Sequence, residues 1–332
     1  MTTAAAPIHL DEQEVVCRLQ LPPLLAAMPD AFLGNIVVPP RLALASPFGD
    51  GRIVLVMPAL RPRGLTITKF VTICGGGRPY LEAHVVVQND TGQLLATIAA
   101  HALTARRTAV TSVLAAKLLA RRPMRRLAIL GAGRQAHAHA VAFCELLGIG
   151  QVRIWARRFE TASALAATLQ AKHGIDAQAA ATPGAAAKAA DVISAATPSQ
   201  NPLLALADVS DGAHVDLVGG FRPEMREAGD DLIVAAAIVA DTPVALAEAG
   251  DLVQPLRRGQ LTQERIGMLV DLLRGQPPAH GHCTVFKSVG HAGEDLVAVE
   301  QVLRAKTLAP GTIARIAVRA RAWAKRQTSR TR

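Results

Sequence analysis

The stretch Leu127-Ala128-Ile129-Leu130-Gly131-Ala132-Gly133-Arg134-Gln135-Ala136 decides the fold. An apolar run meets two glycines and continues into an alanine-rich helical pattern, which predicts a strand, a tight turn and a helix. Gly131 permits the turn, Gly133 lacks a side chain where a pyrophosphate would approach, and Ala136 lets the helix pack closely on the strand. The N–H groups at the start of the helix would face the anion. This context predicts a dinucleotide site, and the alternative is a glycine-rich turn without a ligand.

Length and composition set the class of protein. The 332 residues are enough for two domains, and half of them are hydrophobic while 3% are aromatic. No apolar stretch reaches the roughly 18 residues of a membrane span, and Met1 to Leu10 does not read as a signal peptide. We therefore expect a cytoplasmic protein with no membrane partner. The four cysteines are scattered singly, which predicts reduced thiols and no metal site.

The formal charge of +10 is concentrated in two segments, 106–126 and 315–332. Neither segment carries interleaved aromatic residues or a zinc, helix-turn-helix or RNA-binding signature. We therefore expect solvated basic faces and no nucleic-acid partner. The same field would attract small anionic substrates and a phosphorylated cofactor.

The chain divides at Pro123. Before it, strand-like segments at 42–45, 52–57, 65–74, 82–88 and 94–100 lead to a helix over 104–122, which predicts a mixed α+β unit. Beyond it, strands and helices alternate, which predicts a Rossmann-type, doubly wound parallel sheet over 123–290 in an α/β protein. A late helix over 296–308 is expected to fold back on the first unit. The first domain would then comprise 1–122 together with about 291–332.

Cofactor choice is normally decided at the end of the second strand of such a sheet, where an acidic residue would bind the ribose 2′-OH. This strand ends Ile154-Trp155-Ala156-Arg157-Arg158, with no acid and two arginines. An arginine can hold a 2′-phosphate with paired N–H donors. The sequence therefore favours NADPH, with NADH as the second choice, and the alternative is that both arginines are merely solvated.

Four blocks together resemble the ornithine cyclodeaminase and mu-crystallin family. They are the glycine stretch, Arg107-Thr108-Ala109-Val110-Thr111-Ser112, Asp216-Leu217-Val218-Gly219-Gly220 and Val285-Phe286-Lys287-Ser288-Val289-Gly290. Their order and separation match from about Pro39 to Leu303. The resemblance implies a homodimer joined through the first domains. The family contains cyclodeaminases, alanine dehydrogenases, cyclic ketimine reductases and a crystallin that binds thyroid hormone, so membership fixes the fold better than the reaction.

The resemblance also assigns site residues. Arg41 and Arg107 would bind the substrate carboxylate, and Lys69 would be the catalytic lysine beside the reacting carbon and nitrogen. Lys69 shares a predicted strand face with apolar residues, so it either serves a site or reaches past them to solvent. Phe221 and Val289 would line the substrate ring. The residues assigned to the cofactor are Thr108, Gly131, Ala132, Gly133, Arg134, Gln135, Ala136, Arg157, Arg158, Ala196, Thr197, Ser288 and Gly290.

Phe221 marks a departure from the family pattern. In cyclodeaminases an aspartate with an acid–base role follows the Gly-Gly pair, and phenylalanine cannot carry a proton. Glu224 and Asp230 are near in sequence, but a substitute would need the right reach. Losing this acid harms a multi-step deamination more than a single reduction of a protonated imine. The sequence therefore predicts NAD(P)H-dependent reduction of a small carboxylate-bearing imine, Δ1-pyrroline-2-carboxylate or Δ1-piperideine-2-carboxylate, to L-proline or L-pipecolate.

Three other functions stay open at this stage. They are an ornithine cyclodeaminase with a replacement acid, an alanine dehydrogenase, and a non-catalytic ligand-binding protein like the crystallin. Two local features also stay open. Asp251 either approaches the cofactor or is a solvated acid, and Gly75-Gly76-Gly77 forms either a loop over the substrate or a wide turn.

Overall fold

A computed structural model describes residues 6–74 and 81–305. The predicted glycine loop at 75–77, the end of the predicted late helix and the basic tail lie outside these residues.

The first part of the chain forms a mixed six-stranded sheet with four helices. The strands are β1 (Ile8–Leu10), β2 (Leu42–Ala45), β3 (Ile53–Leu60), β4 (Thr66–Ile73), β5 (Leu81–Gln88) and β6 (Leu94–Ala99), and the helices are α1 (Glu12–Arg18), α2 (Leu21–Ala27), α3 (Asp30–Leu33) and α4 (His101–Leu119). The sheet order is β1-β6-β5-β4-β3-β2, and only the β1–β6 pair is parallel. The five predicted strands are confirmed within a few residues. Helix α4 ends three residues before the predicted Arg122, at Leu119.

The two faces of the first sheet differ. Along β4, Ile67, Lys69 and Val71 are buried on the inner face, as expected from the two-residue repeat of a strand. The opposite face places Leu42, Val56, Phe70 and His84 in one cross-strand row. On this outer sheet face Leu42 and Phe70 remain 55% and 41% exposed. The outer sheet face therefore exposes apolar side chains in the single chain, together with polar residues such as Thr68, Glu82 and His84.

The second part of the chain forms an all-parallel, doubly wound sheet, which confirms the predicted Rossmann-type fold. Its strands are β7 (Arg126–Leu130), β8 (Gln151–Trp155), β9 (Asp176–Ala179), β10 (Val192–Ala195), β11 (His214–Leu217), β12 (Ala237–Ala240), β13 (Ile266–Met268) and β14 (Thr284–Lys287). Its helices are α5 (Arg134–Leu147), α6 (Phe159–His173), α7 (Pro183–Ala187), α8 (Asp230–Ala235), α9 (Ala245–Glu248), α10 (Gly250–Arg257) and α11 (Leu269–Leu273). The order is β13-β12-β14-β11-β10-β7-β8-β9.

Helix α12 (Ala292–Arg304) joins the two parts. It packs against α2, α3, α4, β3 and β4, and its apolar side belongs to a continuous core that also includes α4 and α5. The helix begins four residues before the predicted Leu296. The His291 ring accepts a hydrogen bond from the Gly293 N–H, and the Glu294 carboxylate accepts one from the His291 N–H. These contacts support the proposal that the first domain is discontinuous.

Of the helices in the two described ranges, none combines the length and the apolar character needed to span a bilayer.

Candidate active site

The glycine stretch forms the turn between β7 and α5 at the carboxyl edge of the parallel sheet. Gly131 has a φ of +122°, and a Cβ added there would lie 2.7 Å from the Ala196 carbonyl oxygen. Gly133 is the N-cap residue of α5, and in the part of the chain that the structure describes no side chain accepts a hydrogen bond from the first turn of this helix. A Cβ added to Gly133 would meet nothing within 4 Å. The first N–H groups of α5 thus face an open space that a phosphate can enter. This geometry fits a dinucleotide.

Several other residues assigned to the cofactor lie at the same edge of the sheet as this turn. Arg157 and Arg158 are exposed at the end of β8, and within the described residues their side chains make no hydrogen bond or ion pair. Ala196 and Thr197 follow β10 and lie over Gly131. The Arg134 guanidinium contacts the Nδ1 atom of His101, at the start of α4. These side chains lie at the same edge of the sheet, where doubly wound folds bind nucleotides.

Four buried charges meet between the two parts of the chain, and we call them the four-charge cluster: Lys69, Arg107, Glu294 and Asp295. The Nζ atom of Lys69 lies 2.5 Å from one Asp295 oxygen, and Nε of Arg107 donates to the other at 2.9 Å. Nη1 of Arg107 donates to Glu294 at 2.7 Å. Lys69 is 1% exposed and Arg107 is 4% exposed, so the alternative in which Lys69 reaches solvent is wrong.

Burial and pairing compete in setting the charges of this cluster. Burial lowers the pKa of Lys69 to about 8, although Asp295 acts in the opposite direction. Burial also acts to lower the pKa of Arg107, but Asp295 and Glu294 hold it above its ordinary value. Burial acts to raise the pKa of Asp295, which Arg107 and Lys69 nevertheless keep below its usual range. Lys69 is therefore placed to exchange a proton near neutral pH.

The guanidinium group of Arg41 contacts the carboxylate of Glu248. Its Nε atom donates to Glu248 Oε1 at 3.1 Å, its Nη2 atom contacts the second oxygen, and its Nη1 atom donates to the Val289 carbonyl at 3.3 Å. Burial lowers the pKa of Arg41, and Asp241 opposes this effect. Arg41 borders a cavity of about 420 Å³, a volume typical of small-ligand sites. The cavity is lined largely by apolar side chains, among them Phe32, Val38, Met57, Val244, Met268 and Val270.

Asp241 shapes the turn that follows β14. One of its oxygens accepts hydrogen bonds from Ser288 Oγ at 3.0 Å, the Val289 N–H at 2.8 Å and the Gly290 N–H at 2.6 Å. Gly290 has a φ of +72°, and an added Cβ would lie 2.5 Å from Nη1 of Arg107. Arg41 therefore contacts this turn at the Val289 carbonyl, and Arg107 contacts it at Gly290. The two guanidinium groups thus lie against the same three-residue turn.

In the turn after β11, Phe221 stands where the family resemblance expects an aspartate, and the two buried carboxylates at this turn, Glu227 and Asp251, are engaged by backbone N–H groups. Phe221 is partly buried, packs on the apolar core and carries the Arg222 guanidinium 5.5 Å from its ring centre. The Glu224 side chain is 53% exposed, and Asp230 is engaged by Arg226 and Arg258. Phe221 does not line the cavity beside Arg41. Within the described residues, no group of three or more His, Cys, Asp or Glu side chains is arranged to hold a metal ion.

Sequence reasoning missed the acids that organise this site. Asp241, Glu294 and Asp295 are all buried, although nothing in their local sequence distinguishes them from surface acids. Asp251 is also buried and lies 3.1 Å from Lys287, so its interpretation as a solvated acid is wrong.

A doubly wound parallel sheet with an open glycine turn at its carboxyl edge is the architecture of dinucleotide-binding proteins. The chain belongs to the ornithine cyclodeaminase/mu-crystallin family, whose model matches residues 6–307. The resemblance inferred from the four sequence blocks is therefore confirmed. The family is one of NAD(P)-dependent oxidoreductases that act on imino acids.

Individual relatives match over most of the chain. The ketimine reductase mu-crystallin of Mus musculus is 36% identical over 317 residues, which are 90% of this chain and 96% of the relative. The Δ1-pyrroline-2-carboxylate reductase of Paracoccus denitrificans is 37% identical over 248 residues, 72% of this chain and 78% of the relative. The structure of Thermococcus litoralis Δ1-pyrroline-2-carboxylate reductase in complex with NADH and L-proline superposes with a TM-score of 0.83 at 25% identity, covering 89% and 95% of the two chains.

The four-charge cluster gives a testable stability effect. We expect Asp295→Asn to lower the free energy of unfolding by about 3–5 kcal/mol, because Lys69 and Arg107 would lose a buried counter-charge. Urea denaturation measures the change. Asp271→Asn is the matched control, since Asp271 is 39% exposed and 4.0 Å from Arg274, where a surface pair contributes about 1 kcal/mol or less. Equal effects of the two substitutions would contradict this account of the cluster.

Proposed function

We propose that this chain reduces a cyclic ketimine carboxylate with NAD(P)H. The substrate is Δ1-pyrroline-2-carboxylate, with Δ1-piperideine-2-carboxylate as a second substrate, and the products are L-proline and L-pipecolate. The observation that carries the proposal is the meeting of Arg41 and Arg107 at the turn 288–290, with Lys69 beside them and no acid at position 221. This set of groups suits a substrate that has one carboxylate and one imine.

Two arginines bind the substrate in this proposal. Arg41 and Arg107 orient the substrate carboxylate, because a planar guanidinium matches it with paired N–H donors. Among the described residues Nη2 of Arg107 has no hydrogen-bond partner, so that edge is free to receive the substrate. Arg41 must exchange Glu248 for the substrate. Apolar side chains of the cavity beside Arg41, such as Met57 and Val270, supply contact to the ring, whereas Phe221 and Val289 do not line that cavity.

Lys69 acts on the nitrogen side of the imine. Its pKa of about 8 keeps the ammonium largely protonated at neutral pH, so it can polarise the C=N bond or return a proton. A protonated imine already brings one proton from solution, so no second acid is required. A cyclodeaminase would need acid–base work at the position that Phe221 occupies, and this disfavours the deaminase alternative.

The glycine turn, Ala196, Thr197 and the backbone of Ser288 and Gly290 would hold the cofactor. Thr108 on α4 and Arg134 on α5 would contact it from the side nearer the first unit. The chemistry that the bound cofactor supplies is hydride transfer to the imine carbon. Orientation of the reacting groups by the protein contributes several kcal/mol to the barrier reduction. The free guanidinium groups of Arg157 and Arg158 at the end of β8 favour the 2′-phosphate of NADPH.

A reaction assay tests the function. The protein is mixed with NADPH or NADH and, in separate reactions, with Δ1-pyrroline-2-carboxylate, with pyruvate and ammonia, or with no acceptor, and absorbance is followed. We expect oxidation of the cofactor with the cyclic imine and little with pyruvate and ammonia. L-Ornithine with NAD is the opposing test, and release of proline and ammonia from it would overturn the reductase proposal.

The same assay separates substrate binding from cofactor binding. Arg41→Gln is expected to raise KM for the imine by about tenfold or more, since a hydrogen bond to a charged group contributes about 1.5–3 kcal/mol. Its affinity for NADPH should not change. An unchanged KM would remove Arg41 from the carboxylate site.

Cofactor choice has its own test. Arg157→Asp should weaken NADPH binding by about tenfold or more relative to NADH, because it replaces a phosphate partner with a repelling charge. Fluorescence titration with each nucleotide measures both dissociation constants. Arg153→Asp is the matched control, because Arg153 lies on β8, four residues before Arg157, and its guanidinium is bonded to Gln178. An unchanged NADPH-to-NADH ratio in Arg157→Asp would refute the proposed preference.

We also propose a homodimer formed through the outer sheet face. This face exposes the large apolar side chains of Leu42, Leu44, Leu60 and Phe70 in one sheet, so a second copy can cover them. Light scattering should give the mass of two chains for the native protein and of one chain for Phe70→Glu. Phe159→Glu, an exposed phenylalanine on α6, is the control and should stay dimeric. A native monomer would overturn the proposal.

A further inference from the structure

A second buried ionic group lies beneath the candidate cofactor edge, away from Lys69 and Arg107. It consists of Glu227, Asp251 and Lys287, none of which is exposed. Glu227 lies in the loop between β11 and α8, Asp251 opens α10, and Lys287 ends β14. The proposed reaction assigns these three side chains no role, although burying them is costly.

The Glu227 carboxylate connects two loops. One oxygen accepts hydrogen bonds from the Thr197 N–H at 2.7 Å and the Thr197 hydroxyl at 2.8 Å, and the other accepts one from the Gly219 N–H at 2.8 Å. Thr197 follows β10 and Gly219 follows β11, and these strands are neighbours in the sheet. A Cβ added to Gly219 would lie 1.9 Å from the Thr197 carbonyl oxygen. The two loops therefore touch, and Glu227 sets their spacing.

The backbone of Glu227 is fixed as firmly as its side chain. Its N–H donates to Asp251 at 2.7 Å, and its carbonyl accepts from the N–H groups of Leu203 and Leu204. Asp251 in turn lies 3.1 Å from the Lys287 ammonium, which directly precedes the turn 288–290. Glu227 thus connects the loops after β10 and β11 to the residue that leads into the third loop of the candidate site.

We propose that Glu227 is a positioning residue for the dinucleotide, whose ionised carboxylate holds the Thr197 and Gly219 loops at the spacing that the cofactor requires. This inference rests on the proposed function, since it assumes that a dinucleotide lies along this edge. Glu227 acts through Thr197 and Gly219.

The hydrogen bonds predict a dependence on pH. All three hydrogen bonds are charge-assisted while the carboxylate is ionised, and protonation makes them neutral and roughly half as strong, so it weakens the connection between the two loops. Burial raises the pKa of Glu227 to about 7; Lys287 opposes this and Asp251 adds to it. These two are the charged groups that face Glu227 in the described chain, since Arg226 pairs with Asp230. Cofactor affinity should therefore rise as the pH rises through about 7.

The test is NADPH binding by the full chain without imine, measured by fluorescence titration between about pH 6 and about pH 8. The native protein should bind more tightly at the higher pH. Glu227→Gln should bind about tenfold more weakly at the higher pH, because its NH₂ group faces a donor where an oxygen stood. Its affinity should also lose the pH dependence that the native protein has beyond the titration of NADPH itself.

Two further variants make the result decisive. Glu224→Gln removes an exposed carboxylate three residues away and should match the native protein. Glu227→Asp keeps the charge on a shorter side chain, so it should bind weakly yet keep the pH dependence, and it replaces Glu227→Gln if that variant does not fold. Native affinity and pH dependence in Glu227→Gln, or native affinity in Glu227→Asp, would overturn the inference. Failure of the native protein to bind any dinucleotide would instead overturn the proposed function.

Discussion

The structure depends most on the ion pairs between helix α12 and the first unit. Lys69 and Arg107 place two cations on the inner side of the first sheet, and Glu294 and Asp295 neutralise them from a helix that follows the whole second sheet. Removing one member of a buried pair leaves an uncompensated charge that costs several kcal/mol. The cluster therefore fixes the place of α12, and α12 in turn fixes the turn 288–290 against Arg107.

The candidate site lies where two different architectures meet. The parallel sheet contributes loops at its carboxyl edge, and the first unit contributes cations on rigid strands and on α4. Backbone contact at Gly131, Gly219 and Gly290 is close enough that a Cβ would collide at each position. Small residues thus allow the loops to approach, and buried acids such as Asp241 hold them there. The result is a site whose polar groups are oriented before any ligand arrives.

Much of the fold could be predicted from the sequence because local patterns determine it. Alternation along β4 and the glycine turn after β7 are local signals, and both elements were predicted within one or two residues. The short edge strands β9 and β13 were not, since three or four residues carry little periodicity. The start of α12 was missed for a related reason. Glu294 and Asp295 resemble surface residues until their partners, almost 200 residues earlier, are known.

The same difference between local sequence patterns and contacts between distant residues applies to the candidate site. Lys69, Arg107 and Arg41 were predicted as site residues through the family resemblance, and in the structure Arg41 contacts Val289 while Lys69 and Arg107 share the Asp295 carboxylate. Their internal partners could not be found, because a buried acid and a solvated acid have the same sequence signature. Asp251 illustrates this, since its burial depends on Lys287 and on the close approach of Gly220. Roles that rest on contacts between distant segments become visible only with coordinates.

The sequence separation within the four-charge cluster also bears on how the chain is made. Synthesis proceeds from the N-terminus, so Lys69 and Arg107 leave the ribosome 226 and 188 residues before Asp295. During that interval the inner face of the first sheet carries two cations whose anionic partners have not yet been translated. Burying an unpaired charge costs free energy, so the two cations favour contact with water until their partners are present. The first sheet is therefore synthesised early, but its packing is completed only when α12 has been made.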